Sequence, residues 1–352
     1  MSKSSPSAPI RAMASAWEYR WAVWHQVYGA GTGRTHSAIV GPRDVGAGTC
    51  WGTTPSVDVT KFKVVFHQRE NIGNSTAEDR PQCPETSSTL VGPLNIDLNV
   101  KVTIDDIIAE HGDVSEGGHF KPAECTAHQR IAIVVPFRNR ETHLKLWLYY
   151  LLPILKRQQG DFGIYVIEQF GDTTFNRAKL MNVGFNEAQR EYDYNCFIFS
   201  DIDIIPMDDR NFYRCGSNPR HMANAVDKFG FSLPYDTLFG GVVAFTKDQF
   251  LKINGYSNMF WGWGGEDDEL YSRVAAAGMK VERPNSVIAK SRMIVHNRDP
   301  GNESNGKSFP LISQAQWRMR IDGLRTLSYK TVNTTRHKLY TKITVDLGQP
   351  GK

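Results

Sequence analysis

The sequence lacks an apolar segment long enough to cross a membrane, which takes about 18–20 residues in a helix. The longest apolar run, Leu146–Leu155, is shorter and includes Pro153, so we interpret it as part of a core helix. The serine-containing, basic first residues also lack the apolar centre of a signal peptide. A membrane anchor is therefore not visible in the sequence.

Cysteine is scarce, and no two cysteines have the CxxC spacing of a zinc site, so neither a cysteine zinc centre nor a disulfide scaffold is predicted. An odd number of cysteines fits two bridges and one left over. The cysteines are Cys50, Cys83, Cys125, Cys196 and Cys215. Three N-x-S/T sequons, at Asn74, Asn302 and Asn333, suit a secretory protein, although sequons also arise by chance in 352 residues.

A strong charge of one sign is also missing. The net charge is +4 and the basic residues are scattered, so no nucleic-acid partner is predicted. With 40% hydrophobic and 22% charged residues, the composition is that of an ordinary folded protein. We interpret residues 1–55, which are rich in small residues and proline, as largely disordered, and residues 56–125 as a loop-rich lead-in.

From about Arg130 onward, the sequence has apolar patterns that alternate between strand and helix type. Apolar runs of buried-strand type occur at 131–135, 162–169 and 196–199. Helical apolar spacing follows each of the first two runs, and the second of these helices is predicted to begin at Phe175. This β-α-β-α-β order predicts a parallel sheet with helices on both faces. Ligands of such sheets bind at the carboxyl ends of the strands, where Asp201 and Asp203 lie.

The Asp201-Ile202-Asp203 segment offers hard oxygen ligands for a divalent cation. A solvated acidic turn is the structural alternative. Further ligands could come from Met293 and His296, in the segment SRMIVHNRD. Taken singly, however, a histidine or methionine is more often structural, and a thioether suits Mn²⁺ poorly, so the residue types alone leave this metal site open.

The segment WGWGGEDDEL, residues 261–270, is the most unusual one in the sequence. Its acids are predicted at a helix N-terminus, where the helix dipole favours them with or without a function. Exposed indoles stack on sugar faces, and a carboxylate beside them could deprotonate a sugar hydroxyl. Arg138 and Arg140, after the first strand, suit contacts to a diphosphate or a uracil base, although each could be an ordinary surface charge.

Taken together, eight motifs resemble those of the β-1,4-galactosyltransferase family in order and spacing, including its invertebrate N-acetylgalactosaminyltransferase branch. The motifs are PFRNR, FNRAKLMNVGF, DID, FGFSLPY, FGG, INGY, WGWGGEDDEL and MIVH, and the resemblance covers residues 80–349. It implies an α/β nucleotide-sugar transferase fold with a Rossmann-like, mostly parallel central sheet and an Asp-x-Asp metal motif. The catalytic domain is expected at 126–349.

The resemblance also implies a reaction. The expected enzyme is a Mn²⁺-dependent hexosyltransferase that moves a sugar, with inversion, from UDP to O4 of a terminal N-acetylglucosamine. Asp267 would take the O4 proton while Mn²⁺ stabilises the departing diphosphate. Glu266 stands beside this base as the second catalytic position, and Trp263 matches a mobile tryptophan that closes over the donor.

Residue by residue, the family's metal ligands match Asp203, Met293 and His296. The positions that hold the donor match Pro136, Phe137, Arg138, Arg140, Phe175, Asn176, Arg177, Ile202, Asp203, Leu238 and Trp263. The acceptor positions match Gly265, Glu266, Asp267, Asp268, Phe309 and Ile312. The resemblance also implies the disulfides Cys83–Cys125 and Cys196–Cys215, with Cys50 left over.

Three positions depart from the family pattern. Leu238 stands where galactose-specific members carry Tyr or Phe, a position that in the family faces the C2 substituent of the donor sugar. We therefore expect Leu238 to favour acceptance of UDP-GalNAc, with some UDP-Gal activity retained. Ser308 replaces a usual Arg at the acceptor pocket, and Ser291 stands where some members have Cys. A strictly UDP-Gal-specific enzyme is the alternative.

An inactive sugar-binding protein and a metal-dependent hydrolase are less favoured. The base and metal positions are all retained, and a Trp263 lid would exclude water. Family members are Golgi proteins held by an N-terminal membrane helix. We therefore expect the Golgi lumen, or a secreted or soluble form, given that the anchor is not visible.

Overall fold

The computed structural model describes residues 80–296 and 300–351. The predictions for residues 1–55 and 56–79, with Cys50 and Asn74, lie outside this range. The helices are α1 Ile104–Glu110, α2 Glu141–Arg157, α3 Arg177–Glu191, α4 Lys247–Lys252, α5 Glu266–Ala276, α6 Ser308–Ser313 and α7 Ala315–Arg318. The strands are β1 His119–Phe120, β2 Arg130–Phe137, β3 Asp161–Gln169, β4 Cys196–Ser200, β5 Ile204–Pro206, β6 Arg220–His221, β7 Ala225–Val226, β8 Val242–Thr246, β9 Lys290–Met293, β10 Lys330–Arg336 and β11 Thr341–Asp346.

The main sheet has eight strands in the order β10-β11-β3-β2-β4-β8-β6, with β1 paired to β3. Its four central strands, β11, β3, β2 and β4, are parallel, and each strand outside them pairs antiparallel with its neighbour. The predicted β-α-β-α-β unit is β2-α2-β3-α3-β4. The prediction of an α/β fold with a mostly parallel central sheet is confirmed.

Helices cover both faces of this sheet because the central strands bury side chains on each side. Along β2, Ile131, Ile133 and Val135 join the cluster that contains Trp147 of α2, whereas Ala132 and Val134 join the cluster around α3. Alternation of side chains between faces is inherent in a strand. Apolar residues on both faces produce the continuous apolar run seen in the sequence.

Helix α3 begins two residues later than its apolar spacing suggests. The side chain of Asn176 accepts a hydrogen bond from Lys179 N and so caps the helix, which places Phe175 before it. Asn side chains satisfy the open N–H groups of a helix start in this way. Gly184 then lets α3 approach β2 closely, because a Cβ at this position would collide with Val134.

A second sheet, in the order β5-β9-β7, lies after the carboxyl end of β4. The structure contains the disulfides Cys83–Cys125 and Cys196–Cys215, the two pairs that the resemblance implies. Among residues 80–296 and 300–351, no helix has the length and apolar character needed to cross a membrane.

Candidate active site

Asp201 and Asp203 lie at the carboxyl end of β4, where the sequence places them. The backbone N–H of Asp201 donates to Gly241 O, and its carboxylate accepts from Arg177 Nε at 2.6 Å. Asp203 is buried, and its carbonyl oxygen accepts from Ile294 N. The two carboxylates therefore have different surroundings, with Asp201 held by an arginine and Asp203 facing the end of β9.

The pairing of β5 with β9 brings the distant metal-ligand candidates to Asp203. Met293 lies opposite Ile204 in this antiparallel pair, so the chain that follows β9 passes the turn after β4. His296 Nε2 lies 3.1 Å from Asp203 Oδ2, and its other ring nitrogen, Nδ1, lies 2.8 Å from Arg140 Nη2. Asp203 and His296 thus meet at one edge of the small sheet, and Met293 is paired with the residue that follows Asp203.

The Asp203–His296 pair fits a divalent cation. In this structure Asp203 Oδ2 and His296 Nε2 are hydrogen-bonded at 3.1 Å, and carboxylate and imidazole are ligand types that Mn²⁺ accepts. Among residues 80–296 and 300–351, no group of three or more His, Cys, Asp or Glu side chains is arranged to hold a metal. A cation here would therefore need the Met293 thioether and oxygen atoms of a substrate.

The glycines before α5 adopt a specific backbone conformation that other residues disfavour. Gly262, Gly264 and Gly265 have φ values of 86°, 102° and 98°, in the left-handed region that other residues disfavour. They turn the chain so that α5 begins at Glu266 with four acids in its first turn. Glycine is also needed at Gly240, because a Cβ there would collide with Asp267 Oδ2.

Arg177 joins Asp201, the residue after β4, to the acids of α5. Its Nη1 lies 3.0 Å from Asp267 Oδ1 and 3.7 Å from Glu266 Oε1, while its Nε binds Asp201. One arginine thus faces three carboxylates, and the site carries excess negative charge. Such a site favours cations, including a metal bound nearby.

The protonation of these acids reflects both burial and their neighbours. Burial raises the pKa of Asp267 well above its usual range; the Arg177 charge opposes this shift, and Glu266 and Asp201 add to it. Burial likewise raises the pKa of Asp201 to about 6, against the effect of Arg177. A carboxylate with a raised pKa is a better proton acceptor than an ordinary one, which suits general-base chemistry.

Trp263 lies beside this site with 43% of its surface exposed. Its backbone N–H donates to Glu303 O, and its carbonyl oxygen accepts from Asn305 N. Before it, Gly262 N donates to Phe175 O. Trp263 is therefore attached through its backbone to the segment after residue 299, while much of its indole ring is in contact with solvent.

The donor-position residues at the end of β2 divide into half-buried and buried groups. Arg138 donates to Thr173 O and Gly301 O, and its guanidinium lies 4.8 Å from the centroid of the Phe175 ring. Phe137 is buried in the core, as is Ile202 after β4. Pro136 is the next-to-last residue of β2.

Asn176 is fully buried, and both ends of its side-chain amide are engaged. Besides capping α3 through its oxygen, it donates from Nδ2 to Asn258 O. In this structure, Phe137, Ile202 and Asn176 are therefore buried and support the site, and they do not line its surface.

Leu238 lies in the loop that leads to Gly240, the glycine that packs against the Asp267 side chain. Its carbonyl oxygen accepts from Arg283 Nη2 at 3.0 Å, and the same nitrogen donates to Asp236 O at 2.8 Å. Arg283 Nε donates to His221 Nδ1. Burial lowers the pKa of His221 to about 3, so this ring stays neutral and can accept the bond. Arg283 thus fixes the backbone that carries Leu238.

The acceptor-position residues surround the first turn of α5. Tyr235 OH donates to Asp268 Oδ1 at 2.8 Å. Helix α6 carries Phe309, which is 44% exposed, and Ile312, which is half-buried. Ser308 lies so close to Gly265 that a Cβ on this glycine would meet Ser308 Cβ at 2.5 Å. An exposed aromatic residue, Phe309, therefore follows directly on the serine that lies against the acidic turn.

Sequence reasoning missed Gly240, Tyr235 and Arg283. Gly240 and Tyr235 belong to the motifs FGG and FGFSLPY, which the resemblance uses without assigning the two residues a role. Arg283 has no sequence signal, because its contact with Leu238 joins segments 45 residues apart.

Comparison with known proteins places this site in a class. Residues 83–216 match the family model described as the N-terminal region of glycosyl transferase group 7, and residues 220–297 match the model described as the N-terminal domain of galactosyltransferase. The first match includes β4 with its two aspartates, and the second ends just after His296. Fold and site thus define a glycosyltransferase of group 7.

Proteins with similar sequences show which family within this class the chain belongs to. The chain is 56% identical to mouse β-1,4-galactosyltransferase 1 over 77% of this chain and 68% of that protein. It is 53% identical to the human protein of the same name, over 79% of this chain and 70% of the human one. The chain belongs to the β-1,4-galactosyltransferase family, and it is a hexosyltransferase.

Solved structures agree with the fold. The catalytic domain of Drosophila β-1,4-galactosyltransferase 7, in complex with xylobiose, aligns with a TM-score of 0.55 at 29% identity, covering 62% of this chain and 94% of that one. A mutant of the same fly enzyme, in complex with manganese, UDP-Gal and xylobiose, aligns with a TM-score of 0.52 at 28% identity, over the same shares of the two chains.

Proposed function

We propose that the chain is an inverting, Mn²⁺-dependent transferase that moves GalNAc or Gal from the UDP-sugar to O4 of a terminal N-acetylglucosamine. The product would have a β-1,4 linkage. The observation that carries this proposal is the convergence of Asp203, His296 and Asp267 around Arg177 and the carboxyl end of β4. These residues come from four separate parts of the sequence.

Asp267 is proposed as the base. Burial raises its pKa, so its carboxylate accepts a proton readily when ionised. It would take the proton of the acceptor O4–H as O4 forms a bond to C1 of the donor sugar. The bond from C1 to the diphosphate oxygen breaks in the same step, and the diphosphate leaves with the electron pair. One displacement inverts C1, and no carboxylate nucleophile is required.

Asp203, Met293 and His296 are proposed to hold Mn²⁺. The bound ion would neutralise the charge that develops on the diphosphate. In this structure Arg140 Nη2 donates to Nδ1 of His296. A neutral histidine that binds a metal through Nε2 carries its proton on Nδ1, so this bond would be lost when Mn²⁺ binds and Arg140 would be released toward the donor diphosphate. The Drosophila neighbour, which contains manganese and UDP-Gal, supports this assignment.

Leu238 is proposed to favour UDP-GalNAc. On the family resemblance this residue faces the C2 substituent of the donor sugar. Leu has no hydroxyl group to bind an acetamido group, and it leaves more room than Tyr does. Arg283 holds Leu238 through the backbone, so the side chain has a fixed place.

Phe309 and Ile312 are proposed to enclose the N-acetyl group of the acceptor, with Gly265, Glu266 and Asp268 beside it. The exposure of the Phe309 ring next to the first turn of α5 supports this role. The Trp263 indole would close over the donor.

The proposal is tested by transfer to a GlcNAc-terminated oligosaccharide with Mn²⁺, comparing UDP-GalNAc with UDP-Gal. We expect a β-1,4 product from both, with kcat/KM for UDP-GalNAc at or above that for UDP-Gal. A clear preference for UDP-Gal would support the strictly galactose-specific alternative. Absence of product from either donor, with retained sugar binding, would instead indicate an inactive sugar-binding protein.

We also propose that the chain works in the Golgi lumen or as a secreted form. Two disulfides are present, and such bonds persist in the oxidising secretory pathway. Co-localisation of the tagged chain with Golgi markers, or its recovery from the medium, checks this proposal.

A further inference from the structure

Asn333 combines a glycosylation sequon with an exposed position on the outer strand of the main sheet. Its sequon is Asn333-Thr334-Thr335, without proline at the middle position. The residue is exposed in β10, whose neighbour in the sheet is β11. The active site makes no use of this strand.

The local geometry suits chemistry at the side-chain amide. Asn333 Nδ2 donates to Thr335 Oγ1 at 3.0 Å, so the amide and hydroxyl groups of the sequon already face one another on the surface. The strand also departs from regular pairing at this point, with a register shift between Thr331 and Asn333. Such a bulge re-aims side chains and bends the strand.

The other sequon among the described residues has a different setting. Asn302 is half-buried, and its hydroxyl residue Ser304 forms a β-bridge with Trp263. A glycan at Asn302 would lie beside the indole that is proposed to close over the donor. Of these two sequons, Asn333 is the one that can carry a glycan without contact with the active site.

We propose that Asn333 is an N-glycosylation site. In the modification, the amide nitrogen of Asn333 forms a bond to C1 of the first sugar of an oligosaccharide carried on a polyisoprenyl diphosphate. The bond from C1 to the diphosphate oxygen breaks, the diphosphate leaves with the electron pair, and the amide gives one proton to a base of the host enzyme that catalyses the transfer. The two disulfides support passage of the chain through the compartment where this donor is found.

A glycan at this place protects the edge of the sheet. An outer strand presents backbone N–H and C=O groups that can pair with another chain, and proteins block such edges with charge, bulges or cover. Strand β10 has Lys330 and Arg336 at its two ends and a bulge within it. A bulky polar glycan between them prevents approach of a second edge.

The glycan leaves the reaction unchanged. β10 lies four strands from β4 in the sheet order, which at about 4.8 Å per strand is about 19 Å. We therefore expect kcat/KM of the Asn333→Gln variant to stay within about twofold of the unsubstituted chain.

The test directs the full chain, behind a cleavable signal sequence, into the secretory pathway of a eukaryotic host. Peptide-N-glycosidase treatment in ¹⁸O-water, followed by mass spectrometry, is expected to convert Asn333 to labelled Asp. Asn333→Gln and Thr335→Ala should each remove one glycan's mass, whereas Thr335→Ser should keep it. Protein that has formed both disulfides but has unmodified Asn333 would overturn the proposal.

Discussion

Arg177 Nη1 lies 3.0 Å from Asp267 Oδ1, while the Nε of the same guanidinium lies 2.6 Å from Asp201 Oδ1. One side chain thus connects the strand end that adjoins the metal ligands to the proposed base on α5. The charge of Arg177 therefore opposes the rise in the pKa of Asp267 that burial causes. The same residue also positions both carboxylates.

Replacement of the base should stop the chemical step and leave donor binding in place. For Asp267→Asn we expect kcat to fall by about 10²–10⁴-fold, the usual contribution of a general base, with little change in the affinity for UDP measured by calorimetry. Asp248→Asn is a matched control, because Asp248 is an exposed acid in the first turn of α4. Retention of full activity by Asp267→Asn would exclude this residue as the base.

The pH dependence should report the Arg177–Asp267 pair. Asp267 acts as a base only when ionised, and burial raises its pKa, so kcat falls as the pH drops through that pKa. Arg177 opposes this rise. Arg177→Gln should therefore raise the pKa of Asp267 further and shift the acidic limb of the kcat profile to higher pH.

The control for this experiment is Arg190→Gln, which removes an exposed arginine of α3 that pairs with Glu187. Its profile should match that of the unsubstituted chain. An acidic limb that stays in place in Arg177→Gln would mean that another group limits kcat at low pH.

Donor choice should respond to Leu238. In Leu238→Tyr, the larger ring and its hydroxyl group crowd the acetamido group, so we expect the ratio of kcat/KM for UDP-GalNAc to that for UDP-Gal to drop by at least about tenfold, or about 1.4 kcal/mol. Leu238→Met, which conserves side-chain volume, should keep the ratio. Equal ratios in all three proteins would show that Leu238 does not face the C2 substituent.

Arg283 should affect donor choice without contacting the donor. Its fork donates to the carbonyl oxygens of Asp236 and Leu238 and to His221, a geometry that lysine cannot reproduce. Arg283→Lys should therefore raise KM for the donor and bring the two donors' kcat/KM values closer together, with a smaller effect on kcat. Arg190→Lys serves as the control. A uniform fall in kcat with an unchanged donor ratio would indicate a general folding defect instead.

The central sheet could be predicted because buried parallel strands are apolar on both faces, as at 131–135 and 196–199. The strand end with Asp201 and Asp203 follows from the same pattern. Apolar spacing predicts the start of α3 two residues too early, because it does not register the cap formed by Asn176.

Partners far apart in the chain could not be derived in this way. His296 meets Asp203 across 93 residues because β9 pairs with β5, a pairing between very short strands whose register only the folded chain defines. The family resemblance suggested this pair. Neither the residues nor the resemblance suggested Arg283, since a surface arginine and a loop-fixing arginine look alike in sequence.

Metal dependence should reside in the Asp203–His296 pair. Chelation is expected to abolish transfer, and added Mn²⁺ to restore it.

Two variants test the proposed ligands directly. Asp203→Asn removes a buried carboxylate, and His296→Ala removes the imidazole that lies 3.1 Å from it. Each should raise the Mn²⁺ dissociation constant by at least about tenfold, since loss of even an outer-shell partner of a metal ligand has an effect of this size. Electron paramagnetic resonance measures this binding with UDP present and no acceptor, so it separates a lost metal site from lost catalysis. His143→Ala, which removes the ring 5.5 Å from that of His296, should have a smaller effect because it leaves all three proposed ligands in place. Unchanged Mn²⁺ affinity in both ligand variants would place the metal elsewhere.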